Sequence, residues 1–294
     1  MNYKENIVDE ISLVQEEDLQ LELGYYAVKA ESKIDIAIKG SDANEAEKIT
    51  KNSEIINNDC INVMKNLDNN SIDLIITDPP YNLGNFMHDR NTNLAKMRDN
   101  HFAYSDWDNL EHEEWVSNMD DFFKESNRLL KKKGTLLMFM SLMKVETLIK
   151  LAEKHKFYYK TIGVWHKTNP MPRNMNLHFI NSTECWIYFI NEGTTGTFNN
   201  EGPIHDFIET SLTPMSEKKY GKHPTQKPLK LINHFVNILS NKGDLILDPF
   251  MGSGSTGVSC ELLNRNFIGI ELDTNYYEIA KKRIKNYNFS LFSN

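Results

Sequence analysis

Leu245-Ile246-Leu247-Asp248-Pro249-Phe250-Met251-Gly252-Ser253-Gly254-Ser255-Thr256-Gly257 is the stretch that decides the fold class. An apolar run ends in an acid, a glycine-rich turn follows, and a helix-forming segment begins. Gly252, Gly254 and Gly257 satisfy the GxGxxG spacing in the strand–turn–helix context that gives it meaning. Such glycines let the backbone approach a ligand and adopt positive φ. Glu271 ends the next apolar run, 19 residues after Gly252, where a carboxylate can bind ribose hydroxyls. By itself the pattern fits a nicotinamide cofactor as well as S-adenosylmethionine, because both carry an adenosine.

Outward from this stretch, short apolar runs alternate with helical periodicity. Strands are predicted at 54–59, 71–81, 135–140, 157–165, 184–190, 244–248 and 266–271, and helices at 61–67, 113–130, 142–155, 228–240, 255–263 and 276–287. Lys131-Lys132-Lys133-Gly134 reads as the end of the second helix. Strands alternating with helices imply an α/β fold, a mainly parallel twisted sheet with helices on both faces. The catalytic domain is assigned to residues 53–294, behind an acidic appendage at 1–52. Within the appendage, Ile7 to Leu23 suits a helix and Ile34 to Ile38 a strand. Residues 82–112 lack periodicity, and a loop of that length is usually functional or mobile. Residues 191–222, rich in Gly, Thr, Asn and Pro, read as an irregular insertion.

The chain carries a net charge of −8, which argues at first sight against a nucleic-acid partner. Residues 1–52 account for −6 of it, so the remainder is nearly balanced. Bases also gather at Arg128 with Lys131–Lys133, and at Lys218, Lys219, Lys222, Lys227 and Lys230. Most charge runs are solvated faces, so charge decides nothing here. Cys60, Cys185 and Cys260 are odd in number and widely spaced, which suits a reduced, cytoplasmic setting and gives no zinc pattern. The nine histidines form no metal-ligand cluster, and no apolar run reaches the roughly 18–20 residues that span a bilayer. No metal and no membrane are expected.

A second stretch distinguishes between the two cofactors. Ile75-Ile76-Thr77-Asp78-Pro79-Pro80-Tyr81 is a buried strand that must stop at Asp78, since neither proline can donate a ladder hydrogen bond. It presents a carboxylate, stiff carbonyls and an aromatic ring at the carboxyl end of a strand, where open α/β sheets bind ligands. An exocyclic amino group on a nucleobase is a poor nucleophile because its lone pair is delocalised into the ring. Asp78 and the Pro79 carbonyl can accept its two N–H groups and favour a geometry with a localised lone pair. Tyr81 offers a stacking face, an interaction worth about 1–3 kcal/mol in nucleic-acid sites. The base must leave its helix to reach such a corner. Hydride transfer has no comparable need, and the bland alternative is a strand terminator with a surface tyrosine.

Taken together, these motifs resemble the amino-group DNA methyltransferases that use S-adenosylmethionine, in the permuted order called class β. The resemblance covers about residues 54–287 and implies a Rossmann-like methyltransferase fold. It assigns catalysis to Asp78, Pro79, Pro80 and Tyr81. It assigns the cofactor to Asp59 and Cys60, to Asp78, to Thr225, Gln226 and Lys227 in His223–Leu229, to Asp248, Pro249, Phe250, Gly252, Ser253, Gly254, Ser255 and Thr256, and to Glu271 and Asp273. Trp165-His166-Lys167 with Asn169–Arg173 resembles the family's loop near the flipped base. DNA contacts are expected from Lys167, Arg173, Lys218, Lys219 and Lys222, with Arg90, Arg98 and Tyr104 in the 82–112 loop. Residues 191–222 would carry target recognition.

The resemblance implies double-stranded DNA as partner and S-adenosylhomocysteine as product. A homodimer and a cognate restriction enzyme stay open. Asp rather than Ser at 78 resembles the N6-adenine members more than the N4-cytosine members. An N4-cytosine enzyme is the alternative, and an RNA methyltransferase or a non-catalytic DNA-binding regulator are more distant ones.

Overall fold

A computed structural model describes residues 46–82, 110–171 and 179–287. The readings at Ile7–Leu23, Ile34–Ile38, Arg90, Arg98, Tyr104 and Arg173 lie outside these residues, as does most of the 82–112 loop. The strands are β1 (Glu47–Lys48), β2 (Ser53–Ile56), β3 (Ile72–Thr77), β4 (Leu130–Met140), β5 (Phe157–Lys167), β6 (Thr183–Asn191), β7 (Phe207–Thr210), β8 (Leu245–Asp248) and β9 (Asn266–Ile270). The α-helices are α1 (Cys60–Asn66), α2 (His112–Leu129), α3 (Val145–Lys154), α4 (Leu229–Leu239), α5 (Ser255–Leu262) and α6 (Thr274–Tyr287).

One sheet runs in the order β1-β2-β9-β8-β3-β4-β6-β5-β7. Strands β2, β9, β8, β3 and β4 are mutually parallel, β5 pairs parallel with β7, and β6 runs antiparallel between β4 and β5. The expected mainly parallel α/β sheet is therefore present. The strand of the glycine-rich stretch, β8, lies beside β3, with Leu247 opposite Ile75. Segments about 170 residues apart in sequence thus meet at one edge.

Alternation along the strands builds a core on each face. Leu136, Met138 and Met140 of β4 pack with Trp115, Phe122 and Phe123 of α2 and with residues of α1 and α3. Leu137 and Phe139 of the same strand pack with Leu231, Ile232 and Phe235 of α4 and with residues of α5 and α6. Helices therefore cover both faces. Trp115, Met119, Phe122, Phe123 and Leu129 recur at helical spacing and are fully buried, which fixes the face α2 presents.

Two local readings are corrected. Lys131–Gly134 is not a helix terminus but part of β4: α2 ends because Leu130 is already extended (φ −67°, ψ 136°). The Lys131 ammonium, 2.6 Å from Asp73 Oδ1 on β3, holds the lysine run against the sheet. Asp73 Oδ2 also accepts from Leu245 N at 2.9 Å, so one carboxylate joins β4, β3 and β8. The second correction concerns 191–222, which is not wholly irregular, because Phe207–Thr210 adds an edge strand to β5. Four residues between polar segments are too short for periodicity to reveal. The pairing there depends on a partner glycine: a Cβ at Gly163 would lie 1.9 Å from Trp186 Cζ2 and 2.5 Å from the Asp206 carbonyl.

Gly163→Ala should therefore push β7 and Trp186 apart, at a cost of about 1–3 kcal/mol for overpacking. A urea unfolding curve with an unchanged midpoint would show that the edge gives way freely.

Candidate active site

The parallel strands deliver acids to one edge of the sheet. Asp59 follows β2 and caps α1 by accepting from Asn62 N at 2.9 Å. Asp248 closes β8, Asp78 follows β3, and Glu271 follows β9. Glu184 joins them from the opposite direction. It stands at the start of β6, the strand that runs antiparallel, opposite Trp165 of β5.

The turn after β8 has the geometry its glycines suggested. Gly252 and Gly254 have φ of 51° and 77°. Glu271 is tied to the turn: Oε2 accepts from Gly252 N at 2.9 Å and Oε1 from Asp273 N at 2.8 Å. Burial raises the Glu271 carboxyl above its ordinary range, against those backbone hydrogen bonds. Each oxygen keeps a lone pair for a further donor. The hydroxyls of the turn point into the protein. Ser253 accepts from Arg283 at 3.0 Å, Ser255 donates to the Lys227 carbonyl at 2.9 Å, and Thr256 donates to Asp248 Oδ2 at 2.6 Å. Those side chains brace the turn, leaving its backbone to face a ligand. Phe250 sits between this turn and α2, 6.1 Å from the Phe122 ring.

Beside the turn, Asp78 is held at both oxygens. Tyr81 donates its hydroxyl to Oδ1 at 2.7 Å, and the Lys227 ammonium bonds to Oδ2. Lys227 also lies 3.2 Å from Glu184 Oε2, and Lys167 lies 2.5 Å from Glu184 Oε1. The four side chains alternate in sign: Lys167, Glu184, Lys227, Asp78. Burial raises the Asp78 carboxyl above its ordinary value, and Lys227 opposes that. Glu184 is held below its ordinary value, because Lys227 and Lys167 outweigh its burial. Lys227 is buried too, yet the two carboxylates keep it protonated. The Asp78 side chain retains 22% exposure against 7% for Lys227, so the carboxylate is the more accessible member of the pair.

The structure thus brings Asp78, Tyr81 and Lys227 together, and places Asp248, Phe250, Gly252 and Glu271 along the neighbouring strands. Cys60 is buried at the start of α1, Gln226 is buried with its carbonyl accepting from Thr213 at 2.5 Å, and Asp273 caps α6. Thr225 is exposed. Lys219 and Lys222 are exposed and Lys218 half-buried, just beyond the turn of Met215–Lys218. Lys167 differs from these three: its side chain is 11% exposed and turned onto Glu184. Sequence reasoning left His223, Glu184 and Arg283 out of the site. His223 packs on Gly252, where a Cβ would come 3.2 Å from its Nε2, and burial lowers its pKa to about 4. His223 stood in a quoted motif, but no spacing signals Glu184 or Arg283.

Residues 72–282 match the N6_N4_Mtase family, described as DNA methylase. The chain belongs to this DNA methylase family. It is 32% identical over 249 residues to the Type II methyltransferase M2.MboI of Moraxella bovis, covering 81% of this chain and 89% of that one. Against the Type II methyltransferase M.HinfI of Haemophilus influenzae the identity is 31% over 247 residues, covering 79% and 68%. The crystal structure of the M1.HpyAVI–SAM complex aligns with a TM-score of 0.60 at 30% identity, covering 79% of this methylase and 98% of that chain. The PvuII cytosine-N4-specific DNA methyltransferase, at 20% identity and a TM-score of 0.63, shares the fold.

Asp248 gives the methylase a pH signature. Burial lifts its carboxyl to about 7, opposed by hydrogen bonds from Thr256 and Phe250. A raised folded-state pKa contributes stability that is complete below the unfolded value and is lost as pH rises through the folded one. Wild type should therefore lose roughly 3–4 kcal/mol relative to Asp248→Asn between about pH 4 and pH 7. Parallel stability–pH curves for the two proteins would place Asp248 in a wetter setting.

Proposed function

We propose that this chain is an S-adenosylmethionine-dependent DNA adenine N6-methyltransferase, with Asp78 receiving the target amino group. The observation that carries the reading is Asp78 itself. Fixed by Tyr81 and Lys227, it stands one strand away from the glycine turn and keeps part of its side chain accessible.

The residues present fit the cofactor. Glu271 would offer lone pairs to the ribose diol, the positive-φ glycines allow close backbone approach, and the adenine is assigned to the side of Asp59 and Phe250. Asp248 and the His223–Lys227 segment would border the methionine end. S-adenosylmethionine supplies a methyl on a positively charged sulfur. That methyl would pass in line to the amino nitrogen of a flipped adenine, the S–CH₃ bond giving way to an N–CH₃ bond, with S-adenosylhomocysteine as the leaving group and one proton lost from the nitrogen. Asp78 accepts one N–H of the amino group, the Pro79 carbonyl accepts the other, and Tyr81 supplies the ring on which the base stacks.

The exposed Lys219 and Lys222 suit phosphate contacts, which position a protein on DNA without reading its sequence. The reading extends to a target-recognition role for residues 191–222. It also puts the protein in the cytoplasm, where its three buried free cysteines stay reduced. Among the described residues no helix is long and apolar enough to cross a membrane.

Asp78→Ala should lower methyl transfer by about 10²–10³-fold while cofactor affinity changes little. Tyr81→Ala should weaken capture of the target base more than binding of the cofactor. Nucleoside mass spectrometry of DNA treated with the wild type should show N6-methyladenine; N4-methylcytosine in its place would overturn the adenine assignment. Near-normal turnover in Asp78→Ala would place the amino group elsewhere.

A further inference from the structure

Lys227 faces two carboxylates, and only one of them belongs to the catalytic motif. Its ammonium bonds to Asp78 Oδ2 and lies 3.2 Å from Glu184 Oε2. Glu184 Oε2 is buried and has no well-aligned hydrogen bond of its own, while the other oxygen is engaged by Lys167. The contact between Lys227 and Glu184 is therefore mainly electrostatic, with spare accepting capacity on the glutamate. Taking four charged side chains out of water is costly, and an ion pair of this kind is weak evidence for a purely stabilising role.

We propose that Glu184 is a positioning residue for the methyl transfer. It shares Lys227 with Asp78 and takes up the ammonium when Asp78 accepts the target amino group. The inference rests on the reading of Asp78 as the acceptor for that group.

The physical reason is competition for lone pairs. Asp78 must remain an anion in a largely enclosed corner, and a lysine beside it secures that. A lysine bonded only to Asp78 would also occupy the lone pairs that the amino group needs. A second carboxylate relieves the conflict, because the ammonium has three N–H donors and can lean from one acceptor to the other. Lys167 in turn keeps Glu184 ionised, so the cluster stays neutral overall. Phe139 walls the far side, 5.0 Å from the Lys227 ammonium.

The charged and titratable groups facing Asp78 come from every element around it. They are Tyr81 from its own segment, Lys227 from the segment before α4, Glu184 from β6 and Asp248 from β8, with Lys167 of β5 behind Glu184 and Cys185 of β6 near Tyr81. His223 lies near Lys227 and is neutral above about pH 4. Among these, Glu184 raises and Lys227 lowers the proton affinity of Asp78, so removing them has opposite signs.

The test is single-turnover methyl transfer, which separates the chemical step from product release. It uses methyl-tritiated S-adenosylmethionine and saturating unmodified genomic DNA, over a pH series. Glu184→Gln should move the acidic limb of the rate profile down by about one pH unit and lower the plateau. Lys227→Met should move the same limb up. Limbs that stay in place in Glu184→Gln, or that move the same way in both variants, overturn the inference. If circular dichroism shows Glu184→Gln to be unfolded, Lys167→Met decides, because without that lysine Glu184 takes up a proton more readily: a limb that moves down supports the proposal, and a limb that stays or moves up overturns it. Wild-type protein that methylates no base at any pH would instead sink the functional reading on which the inference rests.

Discussion

A buried ammonium set against the carboxylate of Asp78 is the contact on which this site depends. Lys227 comes from the segment that enters α4, whereas Asp78 ends β3, 149 residues earlier. Loop closure over that distance is entropically costly, though it grows only slowly with length. The parallel sheet removes most of the difficulty, because β8 and β3 are neighbours and the glycine turn comes to lie beside the prolines. Ser255, at the first turn of α5, donates to the Lys227 carbonyl, which ties the lysine's own backbone to the glycine turn. The parts assigned to cofactor and target base are thus joined by hydrogen bonds as well as by strand order.

Asp73 plays the corresponding part at the other end of the same strands. It bonds Lys131 of β4 and the amide of Leu245 at the start of β8, so the relative heights of β3, β4 and β8 are set by one side chain. Strand register then decides where the carboxyl ends fall, and with them Asp78, Asp248 and Glu271. A site whose acids sit at the ends of different strands inherits its precision from such register contacts.

Much of this was legible in the sequence because its signals are local. The strand–glycine–helix pattern at 245–257 predicted the turn after β8, and Pro79-Pro80 predicted the end of β3. The alternation of apolar runs with helical periodicity predicted a mainly parallel sheet covered on both faces. Two things were hidden for the same reason. Glu184 lies at the amino end of its strand, and a search for ligand-facing residues at the carboxyl ends of parallel strands passes over it. Only the reversal of β6 between β4 and β5 brings that end to the site, and strand direction is a property of topology, not of composition. Lys167 was expected to contact DNA, and sequence cannot show that its ammonium turns inward onto that same glutamate.

The reversal also explains how so much charge is tolerated beside an apolar core. In a fully parallel sheet each carboxyl end offers its own turn, and the next strand returns only after a crossover. An antiparallel strand inserted there places Glu184 directly opposite Trp165 and close to Lys167, with no intervening helix. The charges therefore alternate over adjacent strands within hydrogen-bond or ion-pair distance, and each buried lysine finds a carboxylate. An unpaired ammonium in that position would lose its proton or unfold the corner. Charge neutrality of the cluster is thus a condition of its burial, and burial is what lets Asp78 hold an uncharged amino group without water competing for it.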